Sequence, residues 1–197
     1  MLPSVSYIFS WMDPVFLLLL LPLFLARGSD DDGPVYSEGY GKFPSGRYSP
    51  GSAEQIDLFR KAAKYIGAPE GWASSPSFIS LLASESGGRV GIPNFTYGQR
   101  AKDSSRWPEV WSEIQNGVDS TSSDATGLGQ LKGYNVDKFY PDGRMGIGDA
   151  WNEAVGMLKY IKKRWGTPQR AWECYEAYAC MSGKGVFGDS GKTWRGY

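Results

Sequence analysis

Glu85 ends an apolar segment, FISLLAS, and is followed directly by Ser86, Gly87 and Gly88. A carboxyl group at the end of an apolar helix, facing a cleft, suits general acid catalysis. Burial and the negative end of the helix dipole both disfavour its charged form, so it retains its proton. A solvated glutamate before a glycine stop has the same local sequence. Position alone therefore leaves both interpretations open, and the choice depends on the residues that accompany Glu85.

The composition narrows the chemistry available to the chain. It has 197 residues and no histidine, which excludes Ser-His and Cys-His nucleophile systems and the usual zinc sites. Lys and Arg together number 21, as do Asp and Glu, so charge gives no reason to expect nucleic acid as a partner. Eight Trp and twelve Tyr suit a groove that stacks on sugar rings, although aromatic side chains also fill cores. No metal or organic cofactor is expected.

Residues 1–28 are interpreted as a hydrophobic membrane anchor or signal segment. The chain is apolar from Val5 to Ala26 apart from two serines and Asp13-Pro14, but the unbroken run from Val15 covers only twelve residues, which is typical of a signal-peptide core. Ala26-Arg27-Gly28 resembles a cleavage site, yet no Lys or Arg precedes the run. The absence of a positive charge before the run favours a retained anchor over a removed signal. Either would place the rest of the chain beyond a membrane or on a particle surface.

Residues 29–52 are rich in Gly, Ser, Pro and Tyr, which predicts an exposed, flexible linker before a single domain at 53–197. Two cysteines, Cys174 and Cys180, lie six positions apart near the end of that domain. In an unbroken helix they would be separated by about 9 Å along the axis, too far for a disulfide bond. A bridge therefore requires the helix to end between them, and the alternative is two semi-buried thiols.

Two helices are predicted before the candidate acid. Ser52, with Gln55 three residues later, forms a capping box for a helix that Gly67 ends. Ser75-Pro76 begins a second helix, with proline at its first position, and this helix carries Glu85 in its last turn.

Two more helices are predicted near the C-terminus. Asp149 caps the most strongly patterned helix, which ends at Gly166, and Thr167-Pro168 starts another that runs to about Ala179. The segment between residues 89 and 126 is loop-like, with a short helix at 108–115 and room for a small β-hairpin. The expected fold class is mostly α.

The segments ASESGG, ATGLGQL and RWGTPQRAW together resemble the soluble lytic transglycosylase family, which shares its α+β lysozyme-like fold with the goose-type lysozymes. The resemblance covers residues 53–178, and its motifs occur in the family's order. The matching residues are Glu85-Ser86, Gly127-Leu128-Gly129-Gln130, Asn152 with Gly156 and Tyr160, Arg164 to Pro168 with Trp165 in place of a tyrosine, and Ala171 with Tyr175.

The resemblance implies cleavage of peptidoglycan by a single glutamate. Glu85 would protonate the bridging oxygen between N-acetylmuramic acid and N-acetylglucosamine, while the substrate's acetamido group steadies the positive centre. The carboxylate would then take the proton of the 6-hydroxyl group, so that a 1,6-anhydro ring closes without water.

The resemblance also implies a set of substrate-binding residues. Ser86 would orient the acid or the sugar, Gln130 would bind sugar substituents, and Tyr175 would donate to Glu85 or to the acetamido oxygen. The glycines of the 127–129 segment would allow close approach of the saccharide. The full candidate set is Ser86, Gly127, Leu128, Gln130, Tyr160 and Tyr175, of which Tyr160 is more typical of a core residue.

Some positions depart from the family pattern. Glu176 stands where the family has asparagine after the tyrosine, and Tyr178 stands where it has a small residue, so the groove is expected to differ at that end. If Asp103, Asp119 or Asp124 positioned a water molecule, the enzyme would be an inverting hydrolase of the lysozyme type. Solvated loop positions are the simpler interpretation of these acids.

The expected partners are peptidoglycan glycan strands and a membrane contacted through the N-terminal segment. The expected location is the face of the membrane towards the periplasm or cell wall, or a phage particle. A muramidase with the same acid, or a non-catalytic wall-binding module of an envelope or virion, is the alternative function.

Overall fold

The computed structural model describes residues 43–118 and 120–177, except for the side chain of Ala177. This part of the chain is mostly helical and contains isolated β-bridges but no strands, which confirms the mostly α class. None of the helices in these ranges is both long enough and apolar enough to span a bilayer. The predicted anchor, linker residues 29–42, Asp119 and Cys180 lie outside the described residues.

Helices occupy most of the described chain. The α-helices are α1 (Ala53–Tyr65), α2 (Pro76–Glu85), α3 (Gln99–Lys102), α4 (Trp107–Gln115), α5 (Gly133–Phe139), α6 (Ala150–Arg164) and α7 (Pro168–Ala177). Short 3-10 helices cover Glu70–Ser74, Phe95–Tyr97, Ser104–Arg106 and Gly143–Gly146.

Local capping signals start the helices that the sequence predicts. Ser52, Ser75 and Asp149 each accept a hydrogen bond from the backbone N–H three residues on, at 3.2, 3.3 and 2.7 Å. These bonds satisfy N–H groups that have no partner within the helix. Gln55 completes the first cap by accepting from the Gly51 N–H at 2.9 Å. The predicted starts of α1, α2 and α6 are therefore confirmed.

Helix α5 has no such local signal, and its start depends on a distant residue. Lys132 precedes it without a side-chain cap. Instead, the Asp124 carboxylate accepts from the Gly133 N–H at 2.9 Å. Because the cap comes from nine positions upstream, the sequence around residue 133 does not reveal the helix.

The sequence predicted that the folded unit begins at Ser52. In the structure, packed residues start earlier along the chain. The Tyr48 N–H donates to the Gly88 carbonyl at 2.7 Å, and the Val90 N–H donates to the Gly46 carbonyl at 2.8 Å. Tyr48 is only 6% exposed and belongs to the core. The last part of the predicted linker is thus packed against the end of α2, because Gly88 has no side chain to block that approach.

The core consists of two clusters of buried side chains. The larger one joins α1, α2 and α6, with Phe59 and Phe78 in edge-to-face contact at 4.7 Å. The smaller one joins α4, α5 and the loops around them. Helix α6 contributes to the first cluster, while its Tyr160 packs against the second. This helix is therefore the element on which the candidate site is assembled.

Replacing Gly156 by alanine tests this packing. A Cβ at this position in α6 would overlap the buried ring of Tyr140. We expect Gly156→Ala to lower the free energy of unfolding by about 1–3 kcal/mol through overpacking. Gly71→Ala is the matched control, because a Cβ there meets no atom within 4 Å. Urea unfolding followed by tryptophan fluorescence measures both, and an equal stability of the two variants would contradict the expectation.

Candidate active site

Glu85 is the last residue of α2, a helix whose inner face is built from Phe78, Leu81 and Leu82. The side chain is half-buried, and its Oε2 atom is buried. The carboxyl group thus lies at the negative, C-terminal end of a helix, as the sequence predicted. The expectation that it retains its proton stays a prediction.

Ser86 stabilises the end of α2. It is 4% exposed, and its hydroxyl group accepts from the Gly88 N–H at 3.1 Å. The same hydroxyl group lies 3.5 Å from the Leu82 carbonyl, to which it can donate. Contact between Ser86 and a sugar would therefore require these bonds to break, and its predicted role in substrate binding stays a prediction.

The segment Gly127–Gln130 forms a tight turn. Thr126 and Leu131 pair across it through two backbone hydrogen bonds of 3.1 Å. Gln130 adopts a φ of 45°, the only positive φ among described residues other than glycine. The Gly127 N–H donates to the Ile92 carbonyl at 2.9 Å, so the turn is attached to the segment that follows Glu85.

The Gln130 side chain holds the same two segments together. Its Nε2 donates to the Ile92 carbonyl at 2.9 Å and to the Gly127 carbonyl at 3.3 Å. Its Oε1 accepts from Asn94 Nδ2 at 3.2 Å. With 8% of the residue exposed, the amide braces the turn from within, and its direct contact with sugar stays a prediction.

A second glutamate, absent from the sequence-based candidates, lies beneath this turn. Glu153 of α6 is fully buried. Its carboxylate accepts from the N–H groups of Gly91 at 2.9 Å, Leu128 at 2.9 Å and Gly148 at 2.8 Å. One side chain therefore connects the segment after Glu85, the Gly127–Gln130 turn and the loop before α6.

The glycines of the turn make room for α6, and the close approach of a saccharide to their backbone stays a prediction. A Cβ on Gly127 would lie 2.6 Å from the Glu153 carboxyl carbon. A Cβ on Gly129 would lie 2.8 Å from Met157 Cγ. Leu128 is also fully buried in the larger core cluster, so its side chain cannot line a groove. Substrate contact through the Leu128 backbone stays a prediction.

Burial alters the acidity of Glu153. The pKa of its carboxyl group is raised to about 7, chiefly because burial disfavours the charged form. The N–H groups of Gly91, Gly148 and Leu128 oppose this shift, while the charge of Asp149 adds to it. Glu153 is therefore a structural group that solvent does not reach, and its raised pKa is a consequence of that burial.

One face of α6 aligns the site. Glu153, Met157 and Tyr160 follow each other at a spacing of four and three residues, which places them on the same side of a helix. Glu153 binds the Gly127–Gln130 turn, and Met157 packs under it. Tyr160 lies one turn beyond Met157 on this face, and the charge of Glu85 contributes, behind burial, to its raised pKa.

Tyr160 is half-buried and well packed. Its ring makes edge-to-face contacts with Phe139 at 5.5 Å and with Trp165 at 5.1 Å. Its hydroxyl group accepts from the Arg164 guanidinium at 2.8 Å. Burial is the main reason that its pKa is raised. The core interpretation of Tyr160 therefore holds for the ring, and its contact with substrate stays a prediction.

Tyr175 lies on α7, which packs against α2. The ring is half-buried and stacks on Trp172 with a centroid distance of 5.4 Å. The packing brings Tyr175 to the helix that carries Glu85, and its hydrogen bond to the acid stays a prediction. The neighbouring Cys174 is buried and disulfide-bonded.

The acids considered for positioning water have other contacts. Asp103 accepts from the Ser105 N–H at 3.0 Å and is exposed, and this local hydrogen bonding lowers its pKa. Asp124 caps α5 through Gly133. Within residues 43–118 and 120–177, no group of three or more acidic or cysteine side chains could hold a metal ion.

Sequence analysis missed Glu153 because its partners are backbone groups. Gly91, Leu128 and Gly148 reveal nothing of their N–H directions in the sequence, and they are far apart along the chain. The available signal was a charged residue in AWNEAVGML, a stretch that is otherwise small, apolar or uncharged. Every residue from Ala150 to Leu158 is buried, so a helix packed on several sides could have been inferred there.

Replacing Gln130 distinguishes a bracing role from a role in sugar contact alone. Gln130→Ala removes the bonds to Ile92, Gly127 and Asn94, so we expect a loss of about 1–3 kcal/mol in the free energy of unfolding. The control is Gln99→Ala, at an exposed position that begins α3. Urea unfolding measures both variants. Unchanged stability in Gln130→Ala would show that the side chain does not brace the turn.

The raised pKa of Glu153 predicts a pH dependence of stability. Between pH 4.5 and about 7, the folded protein retains a proton that the unfolded chain has lost, so stability from this group is greatest below pH 4.5 and falls towards pH 7. One pKa unit corresponds to about 1.4 kcal/mol, so the full effect is about 3 kcal/mol.

Urea unfolding at a series of pH values measures this effect. Subtracting the profile of Glu153→Gln, which cannot titrate there, isolates it from the other acids. A difference between the two profiles that does not vary between pH 5 and 7 would contradict the assignment.

Comparison with known proteins identifies no relative of this chain. No protein-family model matches the chain, and searches of curated proteins and of solved structures find no match either. The case for a function therefore rests on the motifs of the sequence and on the arrangement of Glu85, the Gly127–Gln130 turn and α6.

Proposed function

We propose that this protein is a peptidoglycan lytic transglycosylase with a lysozyme-like catalytic domain, in which Glu85 serves as acid and then as base. The observation that carries the proposal is the position of Glu85. The residue ends a helix whose inner face is apolar and buried, it has one buried carboxyl oxygen, and the segment that follows it is hydrogen-bonded to the Gly127–Gln130 turn.

The chemistry requires one proton and no co-reactant. Protonated Glu85 donates its proton to the bridging oxygen as the bond from C1 of N-acetylmuramic acid to that oxygen breaks. The 6-hydroxyl oxygen of the same sugar then bonds to C1, and its proton passes to the Glu85 carboxylate. The acid is regenerated and no water is consumed, so a single carboxyl group suffices.

Two features in addition to Glu85 support a glycan as the substrate. Tyr134 is 64% exposed, so an aromatic ring stands in solvent on α5, the helix that packs against α6. Such a ring can stack on the apolar face of a sugar. The Arg164 guanidinium lies over the rings of Tyr160 and Trp165. This cation–π contact stabilises the packing of the two rings.

The roles of the remaining motif residues are revised accordingly. Gln130 and Gly127 shape the turn from within, Ser86 closes the helix end, and Tyr175 on α7 remains the candidate for a hydrogen bond to Glu85 or to the acetamido oxygen. An anchor at residues 1–28 would hold the domain on the wall-facing side of a membrane or on a phage particle, within reach of glycan strands.

Replacing Glu85 tests the proposal directly. We expect Glu85→Gln to fold normally and to lose cleavage of purified peptidoglycan by at least about a thousandfold, because glutamine cannot transfer the proton. Mass spectrometry of the digest should show 1,6-anhydro ends with the wild type only. Glu70→Gln, at an exposed position outside the site, should cleave as the wild type does.

The products also separate the proposal from its alternatives. Reducing ends in place of anhydro ends would identify a muramidase that uses the same acid. Cleavage that persists in Glu85→Gln would refute the assignment of the acid. Binding to peptidoglycan without any cleavage by the wild type would indicate a non-catalytic wall-binding module.

A further inference from the structure

Glu153 does more than stabilise the fold if the three segments that it joins form the substrate groove. The Gly91 N–H belongs to the segment after Glu85, and the Leu128 N–H belongs to the Gly127–Gln130 turn. The Gly148 N–H belongs to the loop that precedes α6. All three donors converge on the two oxygens of one carboxylate.

We propose that Glu153 is a positioning residue for glycan cleavage, whose buried carboxylate fixes the Gly127–Gln130 turn against the segment that follows Glu85. It thereby sets the distance between the acid and this turn, where the proposed function places the glycan strand. The inference rests on the proposed function, because it takes a glycan strand as the occupant of the groove.

The site around the carboxylate is built for that group. A carboxylate is an acceptor only, and the three backbone groups that bond to it here are donors. The Gln130 side chain repeats the connection on the other side of the turn by bonding to Ile92 and Gly127. Trp111 adds a third support, since its ring fills the space above Gly91 and Gly148 and its Nε1 donates to the Gly91 carbonyl at 2.7 Å.

Substitutions at Glu153 should therefore move the turn without touching the acid. Glutamine would turn an NH2 group towards backbone donors and lose at least one bond. Aspartate keeps the charge but is shorter by one methylene group, so it cannot reach all three N–H groups at once. In both variants Glu85 keeps its place at the end of α2, because that helix is held by its own core contacts.

The kinetic consequence differs from that of simple destabilisation. A loss of folded protein lowers the apparent kcat and leaves KM unchanged, because the remaining molecules are intact. A displaced groove wall weakens glycan binding and raises KM. The ratio of the two effects thus reports whether Glu153 positions the turn or only supports the fold.

The experiment compares wild type, Glu153→Asp, Glu153→Gln and the surface control Glu70→Gln, as full-length proteins, on soluble peptidoglycan strands. We expect KM to rise by about tenfold in Glu153→Asp, with kcat within about twofold after correction for the folded fraction. The rise should be larger in Glu153→Gln, and Glu70→Gln should match the wild type.

Amide hydrogen exchange provides a readout that does not need activity. In Glu153→Asp, the amides of Gly91, Leu128 and Gly148 should exchange faster, while that of Phe59 in α1 should keep its protection. If Glu153→Gln fails to fold, the aspartate variant carries the test alone.

The outcomes separate this inference from the proposed function. Unchanged KM in Glu153→Asp, with or without a lower kcat, would overturn the positioning role even if Glu85→Gln abolishes cleavage. Unchanged exchange at Leu128 would overturn it as well. Failure of the wild type to cleave peptidoglycan would instead refute the proposed function, and this inference with it.

Discussion

The buried carboxylate of Glu153 accepts hydrogen bonds from three backbone N–H groups that belong to three separate loops. None of these loops contains regular strands, and each would otherwise leave a donor buried without a partner at a cost of about 1–3 kcal/mol. A single side chain on α6 meets this need for all three. The three irregular segments are thus joined by one acidic group in place of a β-sheet, with Gln130 and Trp111 supporting the same junction.

The glycines around that carboxylate follow from the same constraint. Gly127 has a φ of 77° and no room for a Cβ beside Glu153, and Gly91 and Gly148 have no room beneath Trp111. These positions exclude side chains because protein atoms already occupy the space. A glycine-rich motif near a candidate active site can therefore serve internal packing, even where substrate approach is the more familiar explanation.

The candidate acid depends on a different set of contacts. Glu85 is carried by α2, whose start is fixed by Ser75 and whose end is closed by Ser86, Gly87 and Gly88. The segment around Tyr48 packs against this end and belongs to the fold. Acid and turn are therefore supported separately, and α6 is the element that relates them. This separation is what makes a change in binding distinguishable from a loss of folding.

Local sequence was sufficient for the helices whose caps lie within a few residues, since Ser52, Ser75 and Asp149 bond to N–H groups three positions on. It also located Glu85 at a helix end, because an apolar run followed by two glycines is a local pattern. Only the tertiary structure decided that α5 is capped by Asp124, that Leu128 is core, and that Glu153 joins three loops. The physical reason is that these interactions involve backbone groups distant along the chain, whose directions depend on the completed fold and leave no trace in residue type.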